Sequence, residues 1–75
     1  MLTELWESDP FTERRVGLID TLDTAYRWEK GDTFVDGRGV DGRDRAHDRF
    51  RVISVEVRIG DEGLSRTILA LRLDS

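Results

Sequence analysis

The chain has 75 residues, a formal net charge of −4 and no cysteine. This length allows one small domain, and the lack of cysteine excludes disulfides and thiolate metal sites. No apolar run approaches the roughly 18 residues that a membrane-spanning helix needs. The first residues lack the basic and apolar regions of a signal peptide, so we expect a cytoplasmic protein that does not enter a membrane.

Residues 1–9 are predicted to form a short N-terminal arm. Within it, Leu2, Leu5 and Trp6 make one amphipathic turn at helical spacing. Such a turn either folds back over the core or docks on a neighbour, where tryptophan is a favoured anchor. Both interpretations stay open, and binding of a protein partner by these three residues is the functional one.

Residues 10–30 carry the signals of a helix. Asp9 could cap it, Pro10 suits its first position and Gly31 suits its end. Most of the apolar residues fall on one helical face: Phe11, Leu18, Ile19, Leu22, Ala25 and Tyr26. At strand spacing a different set lines up, and Gly17, Thr21 and Thr24 favour helix poorly. Because the caps and the apolar face agree, we predict a helix, with strands as the alternative.

A turn at Lys30–Asp32 and a short strand at residues 33–35 should follow. Residues 36–49 then alternate acid, glycine and arginine, with almost nothing to bury. Glycines break any regular pattern and aspartates favour turns, so we expect a flexible loop that joins two strands.

The C-terminal part predicts a β-hairpin. Residues 50–59 and 65–73 are rich in β-branched and aliphatic residues, and a glycine-bearing segment, residues 60–64, separates them. A five-residue loop would place Val55 opposite Leu69, whereas a slip by one residue would place it opposite Ile68. We predict the first register. It puts these polar residues on the opposite face: Ser54, Glu56, Arg58, Arg66 and Arg72.

The start of the first hairpin strand departs from simple alternation. Phe50 and Val52 lie in the opposite phase to Ile53. This pattern indicates either a β-bulge near Val52 or a strand whose first residues are buried on both faces.

The arginines of the loop could form a phosphate-binding element. Five arginines lie in this stretch: Arg38, Arg43, Arg45, Arg49 and Arg51. Four aspartates are interleaved with them and no aromatic residue lies between Arg38 and Arg49, so a solvated, self-compensating loop is favoured over a phosphate clamp. A calcium site is disfavoured because the loop lacks the ligand order and the closing glutamate of an EF-hand.

No catalytic constellation emerges. His47 is the single histidine, which excludes a multi-histidine metal site. Asp20 and Asp23 could share a helical face, but solvated charge explains such a pair better than acid–base chemistry. We therefore predict no enzymatic activity, no catalytic residue, no metal, no cofactor and no small-molecule substrate.

Three stretches, "KGDTF", "FRVISVEV" and "TILALRL", resemble the C-terminal strands of small tailed-phage head–tail joining and completion proteins. The matching residues are Gly31, Asp32, Phe34, Phe50, Val52 and Val55, within about the last 45 residues. The resemblance implies a non-enzymatic connector in a virion, whose loops and termini join neighbours in a ring.

These observations predict one α+β domain over residues 1–75, with a small antiparallel sheet; an all-β small barrel is the alternative. The predicted function is a structural or protein-interaction module with a protein partner or self-association. A nucleic-acid-binding or regulatory module is the second choice, and an inhibitor that docks on an enzyme is a third. The predicted partner-binding residues are Leu2, Leu5, Trp6, Arg43, Arg45 and Arg49.

Overall fold

The computed structural model describes residues 1–37 and 48–73, and within these ranges the chain is all-β. It has five strands: β1 (Leu2–Ser8), β2 (Arg15–Asp23), β3 (Thr33–Asp36), β4 (Asp48–Gly60) and β5 (Gly63–Leu73). The predicted α+β class and its antiparallel sheet are therefore wrong; the alternative of a small all-β barrel has the right class, but the sheet is mixed and forms a half-barrel. In the described ranges there is no helix with the length and apolarity needed to cross a membrane.

The five strands form one mixed sheet in the order β2-β1-β5-β4-β3. The N-terminal strand β1 lies parallel to the C-terminal strand β5, whereas all other neighbours are antiparallel. Residues 1–9, predicted to form an N-terminal arm, thus contain β1, which is an interior strand of the sheet. The parallel pair closes the two ends of the chain onto each other, while β2 and β3 remain as the edges.

The sheet curls into a half-barrel with an inner and an outer face. Breaks in the strand register follow Leu5, Glu7 and Val52, and such bulges sharpen the bend of a strand. The inner face carries the core, in which Leu5, Val52 and Ile68 form one buried cluster. The outer face carries Glu4 and Trp6 of β1 beside Thr67 and Leu69 of β5.

The predicted helix over residues 10–30 is absent because its signals serve two other structures. Asp9 and Pro10 do begin a turn, but the turn ends at Glu13, whose φ is 57°. The chain then reverses into β2, where residues of low helix propensity, Gly17 and Thr21 among them, extend along β1. Gly31, read as a helix stop, instead sits in a turn with φ 96° and donates from its N–H to the carbonyl of Val52 at 2.8 Å.

The predicted hairpin is present as β4 and β5, but the predicted register is wrong by one residue. Val55 lies opposite Ile68, and Gly60 lies opposite Gly63, so Asp61 and Glu62 alone make the turn. Gly63 has φ 116°, a left-handed conformation that glycine adopts without strain, which permits this tighter turn. Of the two alternatives for the start of β4, the bulge near Val52 is the one present, because the register shifts between Val52 and Ser54.

The segment predicted as a flexible loop is only partly covered by the structure. Its first residue, Asp36, ends β3, and Asp48 begins β4 directly opposite. Residues 38–47, with Arg43, Arg45 and His47, lie outside the described residues.

Candidate functional site

An apolar cavity lies on the open side of the half-barrel, between the edge strands β2 and β3. We call it the seam cavity; its volume is about 300 Å³. Its apolar lining comes from four separate segments of the chain: Leu5, Ile19, Leu22, Trp28, Phe34 and Val35. Because β2 and β3 do not pair with each other, no strand covers this side of the core among the described residues.

A row of aromatic rings forms the β3 side of the seam cavity. Tyr26 meets Trp28 edge-on at 4.9 Å between ring centroids, and Trp28 meets Phe34 edge-on at 5.3 Å. Phe34 then stacks on Phe50 at 5.2 Å. Contacts of this geometry add to the stabilisation from burial, so the row fixes the position of the Trp28 indole.

The indole N–H of Trp28 has no hydrogen-bond acceptor in the described structure, although the nitrogen is buried. A buried donor without an acceptor costs about 1–3 kcal/mol of stability. A bound group that brought a carbonyl or another acceptor to this nitrogen would recover that cost. The wall of the seam cavity thus contains one buried donor, the Trp28 indole N–H, that lacks an acceptor.

Two carboxylates, Asp20 and Asp36, also line the seam cavity, and its described lining contains no basic side chain. Asp20 accepts a hydrogen bond from the backbone N–H of Thr21 at 2.7 Å. Asp20 and Asp36 each interact with a further group as well, so the lining does not present them as unpaired charges.

The connection between β1 and β2 is a tight turn that presents Phe11 to solvent. The carboxylate of Asp9 accepts hydrogen bonds from the backbone N–H groups of Phe11 at 2.7 Å and Thr12 at 3.0 Å. These bonds lower the pKa of Asp9, because they stabilise its charged form. The backbone N–H of Glu13 reaches the Asp9 carbonyl at 3.1 Å and completes the turn. Phe11 is nevertheless 92% exposed.

On the outer face, Trp6 contacts two charged side chains, those of Glu4 and Arg15. Its indole N–H donates to Glu4 at 3.2 Å, and the guanidinium of Arg15 lies 5.1 Å from its ring centroid. A polar groove of about 410 Å³ lies on the same face, and Arg14, Arg15 and Arg58 are among its lining residues. Trp6 is therefore a half-buried residue with partners of its own.

Arg72 joins three strands at one end of the half-barrel. Its guanidinium forms two hydrogen bonds with Glu7, at 3.0 and 3.3 Å, and an ion pair with Asp48 at 2.9 Å. It also lies 5.4 Å from the ring centroid of Phe50. The hydrogen bonds with Glu7 are the main reason that the pKa of Arg72 is raised. We interpret this cluster as structural.

Arg66 is a structural residue that sequence reasoning missed, since we placed it on the polar face. It is 8% exposed on the inner face. Its guanidinium donates to the Thr3 hydroxyl at 3.2 Å and to the carbonyls of Tyr26 at 2.6 Å and Thr24 at 3.0 Å. The sequence signal was its spacing in β5. Arg66 lies two residues before Ile68 and four before Ala70, so the three side chains share the inner face.

The structure does not bring the predicted partner-binding residues together. Leu5 is buried in the core, Leu2 is half exposed, and Trp6 points to the opposite face from Leu5. The helical turn that grouped them is a β-strand. Arg49 is exposed on β4, and Arg43 and Arg45 lie outside the described residues. Their role in partner binding stays a prediction.

No protein-family model matches the chain, and no curated protein or solved structure is significantly similar to it. Within residues 1–37 and 48–73 no group of histidine, aspartate and glutamate side chains is arranged to hold a metal ion.

Proposed function

We propose that this chain is a non-enzymatic structural or protein-interaction module. The supporting observation is the balance of buried and exposed apolar residues in the described ranges. Five hydrophobic residues are buried, whereas ten large hydrophobic side chains are exposed. Exposed apolar side chains are common singly, but two of these, Leu18 and Val35, lie on the edge strands β2 and β3, next to a cavity that no described strand covers. A protein partner could cover the cavity together with both of these edges.

The two edges make the open side suited to a protein. Leu18 on β2 and Val35 on β3 are each 51% exposed, and they lie on the two edge strands. A partner that inserts between these edges could use both backbone hydrogen bonds and apolar contacts, as in strand addition.

Site-specific photo-crosslinking in cells that produce the protein tests this proposal. A photoreactive residue at Leu18 or Val35 should crosslink to one defined protein. The same residue at Ile59, which is 84% exposed near the hairpin turn, is the matched control and should not crosslink to that protein. Absence of any crosslinked protein from both edge positions would refute the proposal.

The resemblance noted in the sequence supports a more specific form, a connector-type component of a phage virion. Phe34 and Phe50, two of the matching residues, are paired across β3 and β4. Mass spectrometry of purified particles from the encoding genome tests this form. The chain should be present at a fixed copy number per particle, and its absence from intact particles would contradict the virion role.

Exposed arginines on β4 favour a nucleic-acid-binding module as the second candidate. Arg49 and Arg51 alternate along the strand and are both exposed. If they hold phosphates, affinity for duplex DNA should fall as salt rises, with a log–log slope of about −0.9 per contact. Arg49→Ala with Arg51→Ala should then abolish binding. Our first proposal expects no measurable DNA affinity at moderate salt.

A further inference from the structure

We infer that the free edge of β4 pairs with the same edge of a second copy of this chain, in an antiparallel contact centred on Val57. The inference goes beyond the proposed function, because this edge lies at the hairpin end of the sheet and does not line the seam cavity. Three observations carry it: part of β4 has no neighbour on one side, apolar side chains are exposed there, and the charges of that part complement each other in one register of self-pairing.

β4 extends well beyond its neighbour β3, so its second half has a free edge. β3 pairs with β4 only over residues 48–51, and the turn before β3 adds a hydrogen bond from the backbone N–H of Val52 to the carbonyl of Asp32 at 2.7 Å. Over residues 53–60, no described strand lies on that side of β4. A row of unpaired backbone groups is a template for pairing with another strand.

The undescribed parts of the chain are anchored too far away to cover this edge. Residues 38–47 follow β3 and return at Asp48, and residues 74–75 follow Leu73, which lies opposite Arg49. A segment of this length that leaves and returns at one end extends at most about 18 Å from it. Val57 lies about 30 Å along the strand from Asp48. The edge around Val57 is therefore open to another molecule.

The backbone groups that point outward from this edge belong to Val55, Val57 and Ile59. Gly60 and Gly63 directly flank the two-residue turn, where the two strands of a hairpin exchange hydrogen bonds, and such pairs alternate along antiparallel strands. From Gly60 back to the bulge, the even-numbered residues thus bond to β5. The N–H and C=O groups of the odd-numbered residues point away from β5 and can bond to a second copy.

The charges select one register among those that use these backbone groups. With Val57 opposite Val57, each Glu56 lies opposite Arg58 of the other copy, in the non-hydrogen-bonded positions where side chains are closest. A shift to either neighbouring register would place Glu56 opposite Glu56 or Arg58 opposite Arg58, and like charges directly opposite are destabilising. The contact is isologous, so both charge pairs form at once and the dimer is closed.

Glu56 and Arg58 are available for this contact. Within one chain their charged groups lie 3.6 Å apart, and their side chains are 70% and 63% exposed, a kind of pair that contributes little to stability. The polar groove on the outer face adds Glu13, Arg14 and Arg15 beside them. Among the described residues, none of these three forms an ion pair with Glu56 or Arg58.

The same register covers apolar side chains on the inner face. Val57 is 54% and Ile59 84% exposed, although they share the face on which Val55 packs against the core. In the dimer, the two Val57 side chains lie opposite each other, and Ile59 of each copy lies opposite Val55 of the other. Pairing would therefore extend the inner apolar surface across the twofold axis.

The contact should be weak, so that the dilute chain is a monomer. The paired stretch, residues 54–60 of each copy, is short compared with the roughly 1,200–2,000 Å² of a standard interface. At each end, the acidic turn of one copy, Asp61 and Glu62, approaches Lys30 of the other together with Glu29 and Asp32, so the ends add no net attraction. The two central charge pairs and the apolar contacts must supply the affinity.

The first test uses a single introduced thiol, since the chain has no cysteine. Val57→Cys lies opposite itself in the inferred register, at a Cα separation of about 5.5 Å that a disulfide can span. Mild oxidation should give a covalent dimer. Val16→Cys is the matched control, because Val16 is 60% exposed but lies on β2. A dimer yield from Val16→Cys that equals or exceeds that from Val57→Cys would overturn the contact.

The second test is sedimentation velocity on charge variants. Glu56→Arg and Arg58→Glu each turn both attractive pairs into repulsive ones and should weaken association by about tenfold or more. The double variant that carries both changes restores the pairs and should associate as wild type. Arg51→Glu is the matched control for Arg58→Glu, because Arg51 is exposed on the same strand but β3 covers its edge. Circular dichroism checks that all four variants fold.

Mixing the two single variants gives the decisive result. In a heterodimer of Glu56→Arg with Arg58→Glu, all facing charges have opposite signs, so the mixture should form a 1:1 dimer that neither variant forms alone. A mixture that stays monomeric while wild type associates would overturn the register. A wild type that is monomeric at millimolar concentration would overturn the self-pairing. The proposed function is decided separately, because its crosslinks arise at Leu18 and Val35, whereas a photoreactive residue at Ile59 should capture only a second copy.

Discussion

The guanidinium of Arg66 fastens the irregular connection between β2 and β3 to the sheet. It reaches from β5 to the carbonyls of Thr24 and Tyr26, and its third described partner is the Thr3 hydroxyl on β1. The planar fork of arginine suits this arrangement, because several N–H groups can meet separate acceptors at fixed angles. Trp28 follows Tyr26 by two residues in this connection, so Arg66 also positions one wall of the seam cavity.

Arg66→Ala should lower the free energy of unfolding by about 2 kcal/mol, since it leaves two part-buried carbonyls without their donor. Arg66→Lys keeps the charge but loses the fork, and its loss should be intermediate. Urea denaturation measures both values. If Arg66→Lys is as stable as wild type, the fork geometry contributes nothing and the charge alone suffices.

Asp9 controls the Phe11 turn through its charge. Its pKa is lowered in the folded chain below the ordinary value of 3.8 by the backbone N–H groups of Phe11 and Thr12. A carboxylate whose pKa is lowered by folding contributes its full stabilisation at pH values above its pKa in the unfolded chain. This contribution is lost as the pH falls through its pKa in the folded chain. We expect the amide signals of Phe11 and Thr12 to move together with the Asp9 titration below pH 3.8.

Asp9→Asn is the control for this titration, because asparagine keeps an acceptor oxygen and has no titrating proton. The low-pH movement of the two amide signals should vanish in this variant. An Asp9 that titrates at or above the ordinary aspartate value in wild type would contradict the hydrogen-bonding role seen in the structure.

Strands β2 and β5 show which parts of the fold the sequence could predict. The hairpin was predictable because charged and apolar residues alternate in the second half of β4 and glycines flank the turn, and the change of phase after Val52 indicated the bulge as one of two explanations. The register was not, because β5 is apolar on both faces: Ile68 and Ala70 face inward, while Leu69 and Leu71 face outward. In β2, the spacing of the apolar residues fits both a helix and a strand. Only the pairing with β1 shows that this segment is a strand.

Val55 tests the observed register of β4 and β5. It packs against the cluster of Leu5, Val52 and Ile68. Val55→Asp should cost about 3 kcal/mol or more, because it places a charge against that cluster, and a domain of this size has little more stability to lose. Glu56→Lys, on the outer face, should change stability by less than about 0.5 kcal/mol. Equal thermal midpoints for wild type and Val55→Asp would contradict the inner position of Val55.

At the scale of the whole molecule, the candidate site could not be predicted because its walls come from distant segments. Leu5, Ile19, Trp28 and Phe34 meet only after β1 pairs with β5, a contact that joins the two ends of the chain. The local signals at Asp9 and Pro10 were visible, but they were interpreted as the start of a helix, whereas they begin a turn that ends at Glu13. Long-range topology thus determines the seam cavity, which no local pattern in the sequence reveals.

Self-association should make the thermal stability of this chain depend on its concentration. Association that involves only folded copies raises the free energy of unfolding by about 1.4 kcal/mol for each tenfold rise in concentration above the Kd. For a domain of this size, the thermal midpoint should rise by about 5 to 10 °C per tenfold. Differential scanning calorimetry over a concentration series measures this slope. A wild-type midpoint that does not depend on concentration would contradict self-association of the folded chain.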